Sequence, residues 1–135
     1  MTAFSGTDPR TAAVKTGQTV TGVGLLLTED TGLRVTAASA SEVAVGVSAG
    51  ESSRDADLAY ETSGATVSFF PMGGVLWVAS EAVTWAVGDV AYASGSGYCD
   101  KTSTSQKAIG VYVGAGETAT AGTLVPINTN SAVHA

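Results

Sequence analysis

The sequence contains one cysteine, Cys99, and one histidine, His134, among 135 residues. A single cysteine excludes a disulfide within the chain, and one residue of each type excludes a Cys/His zinc cluster. Basic residues are also scarce: six stand against twelve acidic ones, which gives a formal net charge of -6. Because negative charge repels phosphate groups, this composition argues against nucleic acid and anionic membranes as partners.

Long apolar segments are missing as well. No run approaches the roughly 18 residues that a membrane-spanning helix needs, and the first ten residues lack the basic and apolar regions of a signal peptide. We therefore expect a chain that is soluble and has no membrane partner. Charged residues make up only 13% of the sequence, so the chain is neither a disordered polyelectrolyte nor a charged helical bundle.

The apolar segments that are present are short, rich in valine, threonine and aromatic residues, and ended by turn-forming residues. This pattern predicts β-strands. We predict eight of them, at residues 24–28, 33–36, 44–49, 66–70, 75–79, 89–93, 108–113 and 123–127. Residues 71–74 are expected to form a hairpin loop, and residues 52–60 at most one helical turn. The expected fold class is all-β, a small barrel or sandwich of about eight short strands.

The sequence repeats itself at an offset of 64 residues. The aligned blocks are Val23-Gly24 with Val87-Gly88, Ala44-Val45-Gly46-Val47 with Ala108-Ile109-Gly110-Val111, and Gly50 with Gly114. We predict two similar β units near residues 16–50 and 80–114, separated by an insert at 51–78, in a single domain spanning 11–127. Residues 1–10 are predicted to be an N-terminal arm and residues 128–135 a polar tail.

Two segments resemble catalytic or cofactor motifs. Residues 46–50 match the G-x-S-x-G spacing around a nucleophilic serine, here Ser48. In the repeat Ser48 aligns with Tyr112 while both glycines recur, so the spacing belongs to the β unit. Residues 114–119 resemble a dinucleotide fingerprint, but a strand-like segment follows them, which favours a turn. With Cys99 predicted to be a small buried residue, we predict no catalytic residue, no cofactor and no enzymatic activity.

An acidic segment follows the first unit. Its members are Glu51, Asp55, Asp57 and Glu61. The segment lacks the loop spacing of a calcium site, and Arg54 neutralises part of its charge. We predict a solvated loop and no metal site.

The candidate contact residues lie in two apolar or broken segments. Phe69 and Phe70 are adjacent, so a regular strand points them to opposite faces, and Pro71 and Met72 continue the apolar run into a turn. We expect Phe70, Pro71 and Met72 to form a surface that is buried on assembly. Phe4, Pro9 and Arg10 are further candidates, because a short arm can become ordered on a partner.

The order of short glycine and valine blocks over residues 11–127 resembles the capsid decoration, or cement, proteins of tailed bacteriophages. The blocks are Lys15-Thr16-Gly17-Gln18-Thr19-Val20, Val23-Gly24-Leu25-Leu26, Ala44-Val45-Gly46-Val47-Ser48-Ala49-Gly50-Glu51, Val87-Gly88-Asp89-Val90-Ala91-Tyr92, Ala108-Ile109-Gly110-Val111 and Leu124-Val125-Pro126-Ile127. Members of that family are small β proteins that bind the outside of an expanded icosahedral head. The resemblance implies the major capsid protein as partner, a homo-oligomer, favoured to be a trimer, and a place on the outer surface of the virion. It supplies no catalytic residue.

Two other functions remain open at this stage. A carbohydrate- or receptor-binding β module of a tail or fibre would stack Trp77, Trp85 or Tyr98 on sugar rings. A small hydrolase would use Ser48. Glycan binding that is lost on Trp→Ala substitution favours the first, and activity that survives Ser48→Ala excludes the second.

Overall fold

The computed structural model describes residues 10–15, 18–30, 34–50, 65–104 and 106–130. These residues contain no helix and form antiparallel β-sheets, which confirms the all-β class. The strands are β1 (Arg10–Ala13), β2 (Leu26–Asp30), β3 (Arg34–Ala37), β4 (Gly46–Ser48), β5 (Thr66–Pro71), β6 (Val75–Ala79), β7 (Thr84–Trp85), β8 (Val90–Gly95), β9 (Tyr98–Asp100), β10 (Ala108–Tyr112), β11 (Glu117–Thr118) and β12 (Leu124–Asn128).

All eight predicted strands are present within a few residues of their predicted bounds, but the described residues form twelve strands rather than eight. The additional strands are β1, β7, β9 and β11. β7 and β11 have only two residues each, and β1 reads Arg-Thr-Ala-Ala, without an alternating apolar pattern. β9 follows β8 after a two-residue turn in which Ser96 and Gly97 both have positive φ. Because this hairpin turn is so short, the composition of the sequence does not show that two strands are present. The predicted helical turn at 52–60 lies outside the described residues.

Ten of the strands form two five-stranded sheets with the same connectivity. The first has the order β1-β5-β4-β2-β3 and the second β6-β12-β10-β8-β9. Matching β1 to β6, β2 to β8, β3 to β9, β4 to β10 and β5 to β12 makes the two orders identical. We call residues 10–71 unit 1 and residues 75–128 unit 2. The short strands β7 and β11 form a separate two-stranded sheet.

Equivalent hydrogen bonds recur at the offset of 64 residues. The amide of Gly24 donates to the carbonyl of Ser48 at 2.8 Å, and the amide of Gly88 donates to the carbonyl of Tyr112 at 3.0 Å. Both glycines have positive φ, 83° and 92°, which explains why the turn before β2 and before β8 retains glycine. The internal repeat of the sequence therefore corresponds to a repeated backbone arrangement.

Each sheet also curls so that its first and last strands meet. One parallel bridge joins Val14 to Val35 at the ends of β1 and β3, and another joins Ser80 to Cys99 at the ends of β6 and β9. The two bridges occupy the same place in the two units. This curling shortens the exposed sheet edges that would otherwise be open to pairing with other strands.

The predicted hairpin between residues 66–70 and 75–79 is wrong. β5 and β6 do not pair, because β5 lies between β1 and β4 in the first sheet whereas β6 pairs with β12 in the second. Residues 71–74 therefore link the two units. The segment 51–78 contributes the last strand of unit 1 and the first strand of unit 2.

The two sheets pack together as a small all-β sandwich with apolar side chains on both faces of the first sheet. Leu26 and Leu27 are adjacent in β2, and both are fully buried. Leu26 belongs to the apolar cluster that contains Leu76 and Ile127 of unit 2, whereas Leu27 lies in a second cluster with Val67 of unit 1. Because neighbours in a strand point to opposite faces, β2 holds the two clusters together.

The glycine shared by the two Ala-(Val/Ile)-Gly-Val blocks lies where a neighbouring strand comes very close. A Cβ atom on Gly46 would lie 2.5 Å from Cδ2 of Phe69 and 2.7 Å from the carbonyl oxygen of Phe70. A Cβ atom on Gly110 would overlap the carbonyl oxygen of Asn128 in the equivalent strand β12. The repeated glycine is therefore required by the distance between strands.

We predict that Gly46→Ala lowers the free energy of unfolding by about 1–3 kcal/mol, because the strand β5 must move to admit the methyl group. Urea unfolding followed by circular dichroism measures the change. Gly50→Ala is the matched control, since among the described residues no heavy atom lies within 4 Å of a Cβ at that position. Equal loss of stability in both variants would contradict the prediction.

Candidate functional site

Among the predicted contact residues of the arm, only Arg10 falls within the described part of the chain. Phe4 and Pro9 lie outside it. Arg10 is exposed and opens β1, where it is paired with Phe69 of β5. The strand therefore begins at Arg10, the last residue of the predicted arm. β1 is the first strand in the order of its sheet, and Val14, which follows it, bridges to Val35 of β3.

Phe70, Pro71 and Met72 are each partly buried within the chain. Phe70 and Met72 pack against the larger apolar cluster, and the amide of Met72 donates to the carbonyl of Val45 at 3.2 Å. The segment is therefore part of the link between the units rather than a projecting hairpin tip. Its remaining exposed surface is the part that a partner can cover.

Thr129 fixes the turn of this link. Its Oγ1 accepts a hydrogen bond from the amide of Gly73 at 2.7 Å and donates one to the carbonyl of Gly74 at 2.8 Å. Thr129 is only 2% exposed, so these bonds are shielded from water. The residue after the last strand thereby holds the two units at the position where the chain passes from one to the other.

A small pocket of about 70 Å³ lies between the two units beside this link. It is lined by Val43, Ala44, Met72, Ala108, Ile109 and Thr129. Ala44 and Ala108 are equivalent residues of the repeat, so the pocket lies where corresponding segments of the two units meet. Its lining side chains are apolar apart from that of Thr129.

Ser48, the serine of the G-x-S-x-G segment, is fully buried and its hydroxyl is fully engaged. The Oγ atom donates to the carbonyl of Gly22 at 2.7 Å and accepts from the amide of Leu25 at 2.9 Å. A nucleophile needs an accessible hydroxyl and a nearby base. In this geometry Ser48 stabilises the turn before β2, as the repeat alignment indicates.

Cys99 and the segment 114–119 also have structural positions. The side chain of Cys99 is buried in the larger apolar cluster, and this burial raises the pKa of its thiol far above the usual range. A neutral buried thiol is a poor nucleophile. In the second segment, Glu117 and Thr118 form β11 and pair with β7, so a strand follows residues 114–116 where a dinucleotide site needs a helix.

The aromatic pair Trp85 and Tyr112 lies inside unit 2. Each is 1% exposed, and their rings stack with centroids 5.4 Å apart. Trp85 Nε1 donates to Ser80 Oγ at 2.9 Å, and the Tyr112 hydroxyl donates to Glu117 Oε1 at 2.9 Å. Burial, and then the hydrogen bond to Glu117, raises the pKa of Tyr112. Both polar atoms are thus satisfied within the core.

This burial bears on the sugar-binding hypothesis. Trp85 presents no ring face to a ligand, so among the three aromatic residues named for that alternative it is not available to stack on a sugar. Trp77 and Tyr98 are half-buried. The three aromatic residues therefore do not form one accessible surface on which a sugar could stack. The composition of the sequence does not indicate which of them is buried.

The described segments hold no group of three or more histidine, cysteine, aspartate or glutamate side chains close enough to share a metal ion. They also contain no helix with the length and apolar character that a membrane crossing requires. The acidic residues at 51–61 lie outside the described segments.

No protein-family model matches the chain, and no curated protein matches it.

We predict that Ser48→Ala lowers the free energy of unfolding by about 1–3 kcal/mol, because it leaves the buried amide of Leu25 without its acceptor. Urea unfolding measures the loss. Ser68→Ala is the control, since Ser68 is exposed on β5 and is expected to change stability by less than about 0.5 kcal/mol. If Ser48→Ala were as stable as the control, the two hydrogen bonds would make no net contribution to the free energy of unfolding.

A second prediction concerns alkaline pH. The folded pKa of Cys99 lies above its ordinary value of 9.0, so the unfolded chain releases the thiol proton first. The stability due to this group is complete below pH 9 and is lost as the pH rises further. The unfolding free energy of the wild type should therefore fall above pH 9 more steeply than that of Cys99→Ala, by the slope of one proton. Urea titrations from pH 8 to about pH 11 measure both slopes, and parallel slopes would contradict the assignment.

Proposed function

We propose that this chain is a non-enzymatic structural protein of a phage head. It binds the outside of the expanded capsid and stabilises contacts between major capsid subunits. The observation that carries the proposal is the position of the blocks that resemble decoration proteins. Val23-Gly24 and Val87-Gly88 form equivalent turns, and the two Ala-(Val/Ile)-Gly-Val blocks lead into the equivalent strands β4 and β10. The resemblance therefore lies in the framework of both units.

The chemistry of the motif residues supports a mechanical role. Ser48 and Cys99, the two residues with nucleophilic potential that the sequence singles out, are fully buried and contribute to packing and turn geometry. A protein that acts as a joint needs a rigid body with contact surfaces and no reactive centre. The formal charge of -6 suits the outer face of a capsid, away from packaged DNA.

Two described features are suited to contact with the capsid protein. Arg10 is exposed at the start of β1, the first strand in the order of its sheet, where an extended segment of a partner can pair. Met72, which is partly exposed, lines the pocket between the units. Several weak contacts made by one oligomer raise the effective concentration of the others, so the assembly resists dissociation.

The test of this proposal is binding to heads of the phage that encodes the chain. Purified protein is mixed with expanded and with unexpanded heads, and the sedimented protein is measured against its concentration. We expect saturable, stoichiometric binding to expanded heads. A variant without residues 2–9 should bind at least about tenfold more weakly because one contact is lost. Removal of residues 131–135 is the matched control for a terminal deletion.

Saturable binding to neither form of the head would overturn the proposal. Binding to a glycan array that disappears in Trp77→Ala, with the fold retained, would instead support the sugar-binding alternative. Circular dichroism of each variant separates loss of contact from loss of fold.

A further inference from the structure

The sheet of unit 2 has an apolar face that points away from the core of that unit. In β6, Leu76 and Val78 point into the core and are fully buried. Since neighbours in a strand point to opposite sides, the residues that alternate with them point outward. Antiparallel pairing places the outward residues of four strands in two rows across the sheet. The first, the valine row, is Val75, Asn128, Val111 and Val90, and the second, the tryptophan row, is Trp77, Pro126 and Val113.

The two rows carry no charged side chain, and most of their members are accessible. Val113 is 42% exposed. The other members are partly exposed, apart from Pro126, which is buried. In the described part of the chain, the valines and the tryptophan of these rows belong to neither apolar cluster. The outer face of the second sheet is therefore an apolar surface separate from both clusters.

The equivalent of the tryptophan row in unit 1 is polar and faces water. The bridges, strand pairs and hydrogen bonds shared by the two units match Trp77, Pro126 and Val113 to Thr11, Ser68 and Ala49. Thr11 and Ser68 are both exposed. The same β unit thus forms with threonine and serine where these positions are solvated. The tryptophan and proline of unit 2 are not required by the fold of the unit, and they favour a contact with a partner.

The equivalent of the valine row in unit 1 is covered by protein. Leu26 pairs with Val47 as Val90 pairs with Val111, at the offset of 64 residues. Leu26 and Val47 are fully buried in the apolar cluster that they share with unit 2. At the same positions unit 2 retains apolar side chains, and both are partly exposed. A row of this kind is therefore suited to packing against an apolar protein surface.

The position and size of the outer face indicate which protein covers it. Next along β6 and β12, Ala79 and Leu124 share an apolar cluster with Leu25 of unit 1, so the face continues an existing contact between β units. Its seven residues are far fewer than the roughly 20–30 that each partner contributes to a stable dimer. A second copy bound only here would therefore associate weakly. A capsid subunit that also contacts other parts of the chain makes such a small contact effective.

The chemistry of the outer face does not favour a sugar. Sites for small polar ligands combine an aromatic side chain with several hydrogen-bonding groups. The residues beside Trp77 on the face are Val75 and Pro126. Asn128 supplies the one polar side chain of the two rows, and its Oδ1 already accepts a hydrogen bond from the amide of Asn130 at 3.0 Å.

We propose that the outer face of the second sheet docks on an apolar, uncharged surface of the major capsid subunit. The inference rests on the proposed function, and it assigns to the capsid contact a surface that the sequence did not single out. Trp77 is the largest side chain in this contact and supplies most of the area that is removed from water. Because the contact is apolar, its strength depends little on salt.

The test is the binding of the full chain and its variants to expanded heads, measured by sedimentation of the heads. Val113→Asp and Val113→Lys should each weaken binding at least about tenfold, because either charge must lose water against an apolar surface. Trp77→Ala should weaken it at least about tenfold through loss of buried area. Ser68→Asp is the matched control and should bind like the wild type, since exposed Ser68 is the unit 1 equivalent of Pro126.

Circular dichroism of each variant separates loss of the contact from loss of the fold. If the wild type binds heads and all three face variants bind equally well, the inference is wrong and the proposed function stands. Opposite effects of aspartate and lysine at position 113 would indicate a charged capsid surface and would also overturn it. If the wild type binds neither form of the head, both proposals fail.

Sedimentation velocity of the free chain tests the face for contact between copies. We expect the wild type, Val113→Asp and Trp77→Ala to have the same sedimentation coefficient at equal concentration. A smaller coefficient in the folded variants would assign the face to contact between copies and overturn the inference. Glycan binding by the wild type that is lost in Trp77→Ala would overturn it as well.

Discussion

The two backbone hydrogen bonds between the start of β2 and unit 2 are the interaction on which the arrangement of the molecule depends. They join Gly24 to Ala79 and Leu26 to Gly97, and they require the backbone of the first unit to approach the second without an intervening side chain. Of the four residues that these bonds join, two, Gly24 and Gly97, are glycines and have no side chain to keep the backbones apart. Once these bonds form, Leu26 is enclosed by the apolar cluster of unit 2.

The fold class and eight of the twelve strands in the described residues could be predicted, because valine-rich segments ended by turn residues have a strong local signal. The pairing of strands could not, because it depends on partners that are distant in the sequence. The segment at 71–74 shows the difference. Its composition indicates a hairpin, yet β5 pairs with β1, which lies more than fifty residues earlier. A turn sequence specifies only that the chain changes direction. Which strand pairs with which depends on all the strands of the sheet.

The candidate site shows the same division. That Phe69 and Phe70 point to opposite faces follows from strand geometry, and the structure places them in different apolar clusters. How much of Phe70 remains accessible was not predictable, because it depends on the second sheet. The repeat at offset 64 was the more informative signal. The repeat alone indicates that Ser48 belongs to the framework, in agreement with its buried hydrogen bonds. It also shows which residues of the two units are equivalent.

The single link at residues 71–74 also has a consequence for the order of folding during synthesis. Every strand of the first sheet precedes this link, so that sheet can pair completely while the second unit is still in the ribosome. Leu25 and Leu26 are covered only when residues as late as Leu124 have been made. A nascent chain therefore exposes these apolar side chains while about fifty further residues are synthesised. At ordinary rates of translation this takes at most about ten seconds. The same face that later holds the two units together is, during that interval, the part of the chain most open to aggregation.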